Sequence, residues 1–562
     1  MANPRKPLPK GNKKPPVYTK EAITVSLFDS LNIWVEKKSK VLTITALSCC
    51  ALFSILLFQA KMDLGADDSA YLQRAFDFIH KGIFPSYQGP LYPLVLSIFM
   101  AIVGINIIFL KIVSLVFNFF AVYFMYKAFK NRIPALILHT IMLLYALNTY
   151  ILSFSSLTYS EPLFMMLQSM LLYYFFKLGD KLEVSEDKTF RGNIRSWLTV
   201  GLFIFLLASS RTVGFFAFAS FIVYFIARKE YKYILYLVGA FLIFQIPMTL
   251  LEKLIWHVGE NGGSQTSILM LKDPYDPSAG TETVNGFFQR FTGNSISYLS
   301  KRFFQIISLK SFDSTEQNGG LAFFFLVFCV LSLYRAFRSK KFPMLFVGLY
   351  VLSMMSASFF AIQTRWDQPR IIMVFVPLLL LLVFYGLYDL LKKAPWGLQF
   401  LMIIVIIIPL FASLSSTLKA AKTNSVVLSK NLHGDVFYGY TPDWVNYLRM
   451  SQWCADNLPK DAKVGVRKSG MSFVYTNGKE FLAINRAYYT DADSVLAFFK
   501  RNKAEYVVLA SLRMNPNVAD EHSIINTIQQ MMVPVAQKYP QKLKLVHQEG
   551  NAEPAYLYQI VN

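Results

Sequence analysis

The sequence predicts a mainly α-helical, polytopic membrane protein with about eleven transmembrane helices and a C-terminal α/β domain outside the lipid. Three observations carry this. First, 54% of the 562 residues are apolar and only 16% are charged, which is short of charge for a soluble chain. Second, the apolar residues come in runs. Ile371–Leu391 (IIMVFVPLLLLLVFYGLYDLL) and Leu398–Phe411 carry almost no charge, and about 20 such residues wound as a helix match the hydrocarbon thickness. Third, the runs stop near residue 417, and short helix and strand patterns alternate from there on.

The elements follow in chain order. Residues 1–40 form a basic N-terminal segment. Its first 20 residues, rich in Pro and Lys/Arg, are expected to be disordered and cytoplasmic, and an amphipathic piece, Glu21–Lys40, leads into a first span at 41–60. With a long basic leader and no small-residue cleavage site, that span reads as a retained anchor. Residues 61–106 are only partly apolar. Within them Leu91–Val103 is short for a span, and the positive-inside rule decides against it. If it crossed, Lys127/Lys130/Arg132 and every later basic loop would face outwards; if it lies in the interface, they fall inside. The remaining spans are 107–127, 134–152, 161–177, 197–210, 213–227, 231–250, 319–337, 343–361, 371–391 and 397–416. An odd count places the C-terminus opposite the cytoplasmic N-terminus. The expected organisation is a membrane domain over 41–416, with outer loops 61–106 and 252–318, and an extracytoplasmic α/β domain over 417–562. Loop 252–318 lacks an obvious pattern and reads as a functional lid. In the tail, 441–460 and 494–502 read as helices and 463–467 and 505–511 as buried strands.

Several classes are excluded. The net charge of +22 lies in short loops between apolar spans and no recognition motif accompanies it, so nucleic acid is not expected as a partner. There is no GxxxxGK[ST] loop for ATP and no HExxH pair. The six histidines are scattered, which gives no basis for a His-rich metal site. Cys49, Cys50, Cys329 and Cys454 form neither a disulfide framework nor a CxxC pair.

Ionisable residues at span ends are the functional candidates, because they are costly there. Asp67 and Asp68 follow the first span. Adjacent carboxylates repel and call for a cation, a donor or a metal nearby; one could be a general base, or the pair could simply cap the helix that begins at SAYLQRAF. Glu161 stands before Pro162 at a helix start, where the dipole stabilises an acid in any case. Arg211 is the one basic residue between Trp197 and Arg228, either an interfacial anchor or, since outer-face arginines oppose the charge bias, a functional group. Arg365 and Arg370 stand at the mouth of a strong span. They suit phosphate binding, though Asp367 offers a local partner.

In order and sidedness these features resemble the GT-C superfamily of membrane glycosyltransferases, nearest to the dolichyl-phosphate-mannose protein mannosyltransferases and their bacterial relatives, including aminoarabinose transferases that act on lipid A. The resemblance spans about 60–420. It rests on DDSAYLQRAFDFIHKG, GPLYPLVLSIF, YSEPLF and PRIIMVFVPLLLLL, the last with Ile371 where the family usually has Tyr. It implies that Asp67 is the catalytic acid of the first outer loop, with Asp68 where Glu is common and Glu161 as the acid of the second. It implies that Arg211 and Arg370 lie near the lipid phosphate; Arg365 is taken with them, and the motif tyrosines Tyr71, Tyr92 and Tyr159 are taken as substrate-binding. The expected function is inverting transfer of a sugar from a polyprenyl-phosphate donor to a protein, lipid or glycan acceptor at the outer face of the plasma (bacterial inner) membrane. No metal site is assigned. A divalent cation stays open as a cofactor, since paired acids can hold one, although related mannosyltransferases look metal-independent. The alternative is a transporter or flippase for a lipid-linked sugar, although neither internal repeats nor broken midplane helices with ionisable groups stand out.

Overall fold

The computed structural model describes residues 26–65, 67–258, 265–274, 276–513 and 524–561; the expected N-terminal disorder over 1–20 lies outside them. The apolar runs are helices. Seven helices are long and apolar enough to cross a membrane: Ser39–Leu56, Ile107–Phe129, Arg191–Ser210, Tyr231–Leu254, Gly319–Arg338, Phe342–Ala361 and Trp396–Leu432. The other four expected spans fall on broken or more highly charged helices. Span 134–152 divides into Ala135–Ala146 and Thr149–Phe154, with Asn148 capping the second half. Span 371–391 divides into Arg370–Met373 and Val376–Leu391. Span 213–227 opens with a 3₁₀ turn, Thr212–Phe216, before Ala217–Ala227. The 25-residue helix Ser160–Val184 carries charge at both ends. Leu91–Val103 is a 13-residue helix, about 20 Å long against a hydrocarbon core of about 30 Å.

The bundle has two chemically distinct ends. The Ser160–Val184 helix runs from Glu161, paired with Arg211, to Asp180, paired with Arg132. The basic loops gather at the Asp180 end. There Arg228 meets Glu230, and Asp389 takes both Arg335 and Lys392. The Leu27–Lys37 helix also docks at that end: the Phe28 amide donates to Gln399 and its ring stacks on Tyr388.

Loop 252–318 departs from the expected patternless lid. It contains a helix, Gln265–Leu269, a hairpin of β1 (Leu271–Asp273) and β2 (Asp276–Thr281), and a helix, Val284–Ser297, that continues through a π turn into Phe303–Ile306. Its second half is anchored by buried polar groups. Arg290 donates to the carbonyls of Leu269 (2.8 Å), Leu271 (2.6 Å) and Ala361 (3.2 Å), and Asn294 to those of Phe359 (2.9 Å) and Ile362 (2.7 Å). Single polar residues in an apolar-aromatic stretch thus tie the loop to the bundle, and Leu269 and Leu271 of its first half are held by the same Arg290.

The C-terminal region is the α/β unit that its alternating pattern predicts. Strands β3 (Lys463–Val466), β4 (Leu482–Ala483), β5 (Ala504–Leu509), β8 (Leu543–Glu549) and β9 (Ala555–Ile560) form one mixed sheet in the order β4-β3-β5-β9-β8, parallel on the β4-β3-β5 side and antiparallel beyond. A separate short ladder pairs β6 (Leu512–Arg513) with β7 (Ile524–Ile525). Helices Ala492–Arg501 and Thr527–Lys538 cover one face of the main sheet around Val495, Phe499, Val507 and Met531. On the other side, Trp444, Tyr447, Val464, Met471 and Phe473 belong to the same continuous core as the membrane helices. The compositional break near 417 corrects to a position inside a helix: Trp396–Leu432 is unbroken over 37 residues. Its apolar residues give way to polar ones along one helix that also accommodates Pro409, so composition changes near 417 where the helix does not end.

Candidate active site

Asp67 and Asp68 open the helix Asp67–Lys81 and lie in its first turn, where the positive end of the dipole favours acids. Consecutive helical residues do not share a face, and the two carboxylates diverge. Asp67, 37% exposed, meets the Arg370 guanidinium at 2.5 Å. Asp68 is fully buried and accepts from the amides of Asp63 (2.8 Å) and Ser69 (2.7 Å). The Lys111 ammonium lies 4.0 Å from it. Burial pushes the Asp68 carboxyl up, against the pull of Lys111. Asp68 therefore points away from Arg370, to the backbone behind the loop. Among the described residues no three His, Cys, Asp or Glu side chains gather as a metal site, and Asp67 and Asp68 point apart.

Arg370 begins its helix directly after Pro369. Burial opposes its charge, but Asp67, Glu161 and Tyr159 more than offset this and hold the guanidinium well above its ordinary value. It also lies over the Tyr159 ring, 5.1 Å from the centroid. Tyr159 in turn donates to Asp63 at 2.8 Å. Glu161 is 2% exposed at the start of its helix and meets Arg211 at 2.5 Å. Its second oxygen, Oε2, is buried and takes no hydrogen bond among the described residues. Arg211 has extended backbone between the Ile194–Ser210 helix and the following 3₁₀ turn, so the break in the apolar run aims it. Tyr71 donates to Ser160, next to Glu161, at 3.3 Å.

Asp67, Glu161, Arg211, Arg370, Tyr71 and Tyr159 thus form one cluster. Two other candidates do not. Tyr92 is fully buried, its hydroxyl 2.7 Å from Ser114 and its ring edge-on to Tyr71, so it supports the site from behind. Arg365 turns to Asp273 of β1 and is half exposed. Asp367, the local partner that the sequence offers to Arg365 and Arg370, is instead held by Arg302 at 2.7 Å and by Lys301. These two cations come from the π turn of loop 252–318, which the sequence shows only as a long loop.

Other residues at the site escaped the sequence reading. Lys111 was legible as a lone cation five residues into an apolar run, IIFLK. It is fully buried and donates to the carbonyls of Gln59 (3.1 Å) and Lys61. Lys468 was not legible. It lies about 400 residues on, in the C-terminal unit, and donates to the carbonyls of Leu64 (3.1 Å) and Gly65 (3.4 Å).

No protein-family model and no curated protein matches the chain. Two solved membrane proteins share its fold. The oligosaccharyltransferase of Archaeoglobus fulgidus, tethered to an acceptor peptide containing an NVT sequon, aligns over 94% of this chain and 75% of its own, with a TM-score of 0.51 and 15% identity. ArnT from Cupriavidus metallidurans in the apo state aligns over 93% of this chain and 98% of its own, with a TM-score of 0.51 and 11% identity. Both are GT-C membrane glycosyltransferases. The GT-C resemblance read from the sequence is thus matched in three dimensions, and the chain is a multi-pass membrane protein of that fold. A shared fold does not by itself carry substrate or chemistry.

Proposed function

We propose that this protein is a membrane glycosyltransferase that moves a sugar from a polyprenyl-phosphate carrier to an acceptor hydroxyl or amine at the outer face of the membrane, with inversion. The contact between Asp67 and Arg370, 303 residues apart in the chain, carries the reading. It joins an acid able to take a proton with a cation suited to a phosphate. Asp67 accepts the proton of the attacking group as that group bonds to the anomeric carbon. The bond from that carbon to the phosphate oxygen breaks with its electron pair, and the polyprenyl phosphate departs with one more negative charge. Arg370 stabilises that charge as it develops, and Arg211 lies one ion pair away.

Asp67 and Arg370 neutralise each other while no phosphate is bound. A donor phosphate competes for the guanidinium and frees the carboxylate to act as base, so the donor binds before the acceptor reacts. The unpaired Oε2 of Glu161 is placed to accept from a sugar or acceptor group, since a buried carboxylate oxygen without a partner is costly. The N-terminus is cytoplasmic and the C-terminal unit extracytoplasmic in this reading, because the basic loops gather at the end opposite Asp67.

The test is transfer of a labelled sugar from a polyprenyl-phosphate donor by the purified protein in lipid vesicles. Asp67→Asn is expected to lower turnover by about 100-fold or more; unchanged turnover removes Asp67 as the base. Movement of the lipid-linked sugar across the bilayer with no transfer product would support a carrier instead.

A further inference from the structure

The segment that delivers Asp67 is gripped by the C-terminal unit at Lys61, Met62, Leu64 and Gly65. Lys61 donates to the carbonyl of Gly439. The Met62 amide donates to the Tyr475 hydroxyl (3.2 Å), and its carbonyl accepts from the Tyr440 hydroxyl (2.6 Å); the two hydroxyls lie 3.0 Å apart. The carbonyls of Leu64 and Gly65 accept from Lys468. The helix beyond Asp67 is held too. Phe76 meets Phe473 edge-on at 5.0 Å, and Lys81 pairs with Glu480. Gly470 lies so close that an added Cβ would stand 2.9 Å from the Ser69 hydroxyl and 3.4 Å from the Ala70 amide.

We propose that the C-terminal unit is a clamp on the Asp67 loop and that Lys468 is its positioning residue, fixing the Leu64–Gly65 turn so that Asp67 faces Arg370. The clamp itself is a matter of geometry; its effect on turnover rests on the function proposed above. Lys468 suits the role because it is itself fixed. Its amide donates to the Tyr447 hydroxyl at 3.0 Å, and it lies at the start of the Ser469–Tyr475 helix against the Trp444 ring. Its ammonium faces Asp63, Asp67 and Asp68 across the loop and has Arg467 beside it on the chain. Burial, helped by Arg467, lowers it to about 8, against the pull of the three aspartates. Below that pH the ammonium is charged and grips the carbonyls. As pH rises through it, the charge and one donor hydrogen are lost, and the loop loosens. An arginine at this position stays charged throughout.

The experiment uses the full chain with two readouts: hydrogen exchange over residues 61–70 without substrate, and donor turnover against pH. Lys468→Met is expected to speed exchange over 61–70 while leaving 160–170 unchanged. It is expected to lower kcat by about 10- to 100-fold, the scale of a misplaced catalytic group, with donor KM within about twofold. Lys468→Arg is expected to restore most of the turnover and to move the alkaline fall in rate well above pH 8. Unchanged exchange in Lys468→Met overturns the clamp. A lower kcat with unchanged exchange, or a higher donor KM with unchanged kcat, overturns the positioning role by placing Lys468 on the substrate. If the wild-type chain transfers no sugar, the proposed function fails, and the exchange readout still decides the clamp.

Discussion

Asp67 and Asp68 show how one backbone step separates two roles. One carboxylate reaches the Arg370 guanidinium and the other turns inward to backbone amides and Lys111. The buried member is the more fragile. Removing one partner of a buried ion pair leaves the other uncompensated, so Lys111→Met is expected to destabilise the protein by about 3 kcal/mol, read as a lower midpoint of thermal unfolding in detergent. Adding Asp68→Asn to that variant is expected to recover part of the loss, because the carboxyl left without its cation is then replaced by a neutral amide. A double variant no more stable than the single one would show that Lys111 acts through the carbonyls of Gln59 and Lys61 alone. The candidate residues were legible as residue types at span ends. Which acid faces the arginine was not, because adjacent positions in a helix carry the same composition signal and point to different sides.

The elements that aim these side chains are breaks in apolar runs. Arg211 lies where the Ile194–Ser210 helix gives way to a 3₁₀ turn, and Arg370 where Pro369 begins a four-residue helix. The turn before Leu91–Val103 is fitted against the first of these breaks. Gly89 has a φ of +96°, and a Cβ there would stand 2.6 Å from the Ser210 carbonyl oxygen. Gly89→Ala therefore meets both backbone strain and a backbone clash. It is expected to cost about 1–3 kcal/mol and to lower turnover by displacing Arg211, while Gln88→Ala, one residue earlier, is expected to leave turnover within about twofold. A Gly89→Ala protein with wild-type stability and turnover would show that the Ser210–Arg211 break is free to move. Loop 252–318 marks the limit of reading elements from pattern. Its anchors, Arg290 and Asn294, are single polar residues whose partners are carbonyls of another helix end.

At the scale of the whole molecule the acids and arginines share one end of the bundle and the basic loops the other. The topology that follows can be read by labelling intact cells. Lys500→Cys, exposed in the C-terminal unit, is expected to react with a membrane-impermeant maleimide, and Lys393→Cys, exposed among the basic loops, only after lysis. The reverse pattern would invert the assigned orientation and place the site on the cytoplasmic face. The native cysteines complicate this little, since Cys50, Cys329 and Cys454 are buried and Cys49 is partly so. The C-terminal unit shares its core with the membrane helices, so the Asp67 loop lies between two packed parts.

The sequence by itself determined the membrane character, the helical runs, the alternating tail and the residue types of the site. Hydropathy and period are local properties, and the bilayer admits few ways to satisfy a backbone within it. Only the tertiary structure decided that Asp67 and not Asp68 meets Arg370, that Tyr92 and Arg365 stand aside, and that Lys468 holds the loop from about 400 residues away. Those outcomes depend on which carbonyls and charges lie opposite one another after folding, and no periodicity along the chain encodes such a pairing.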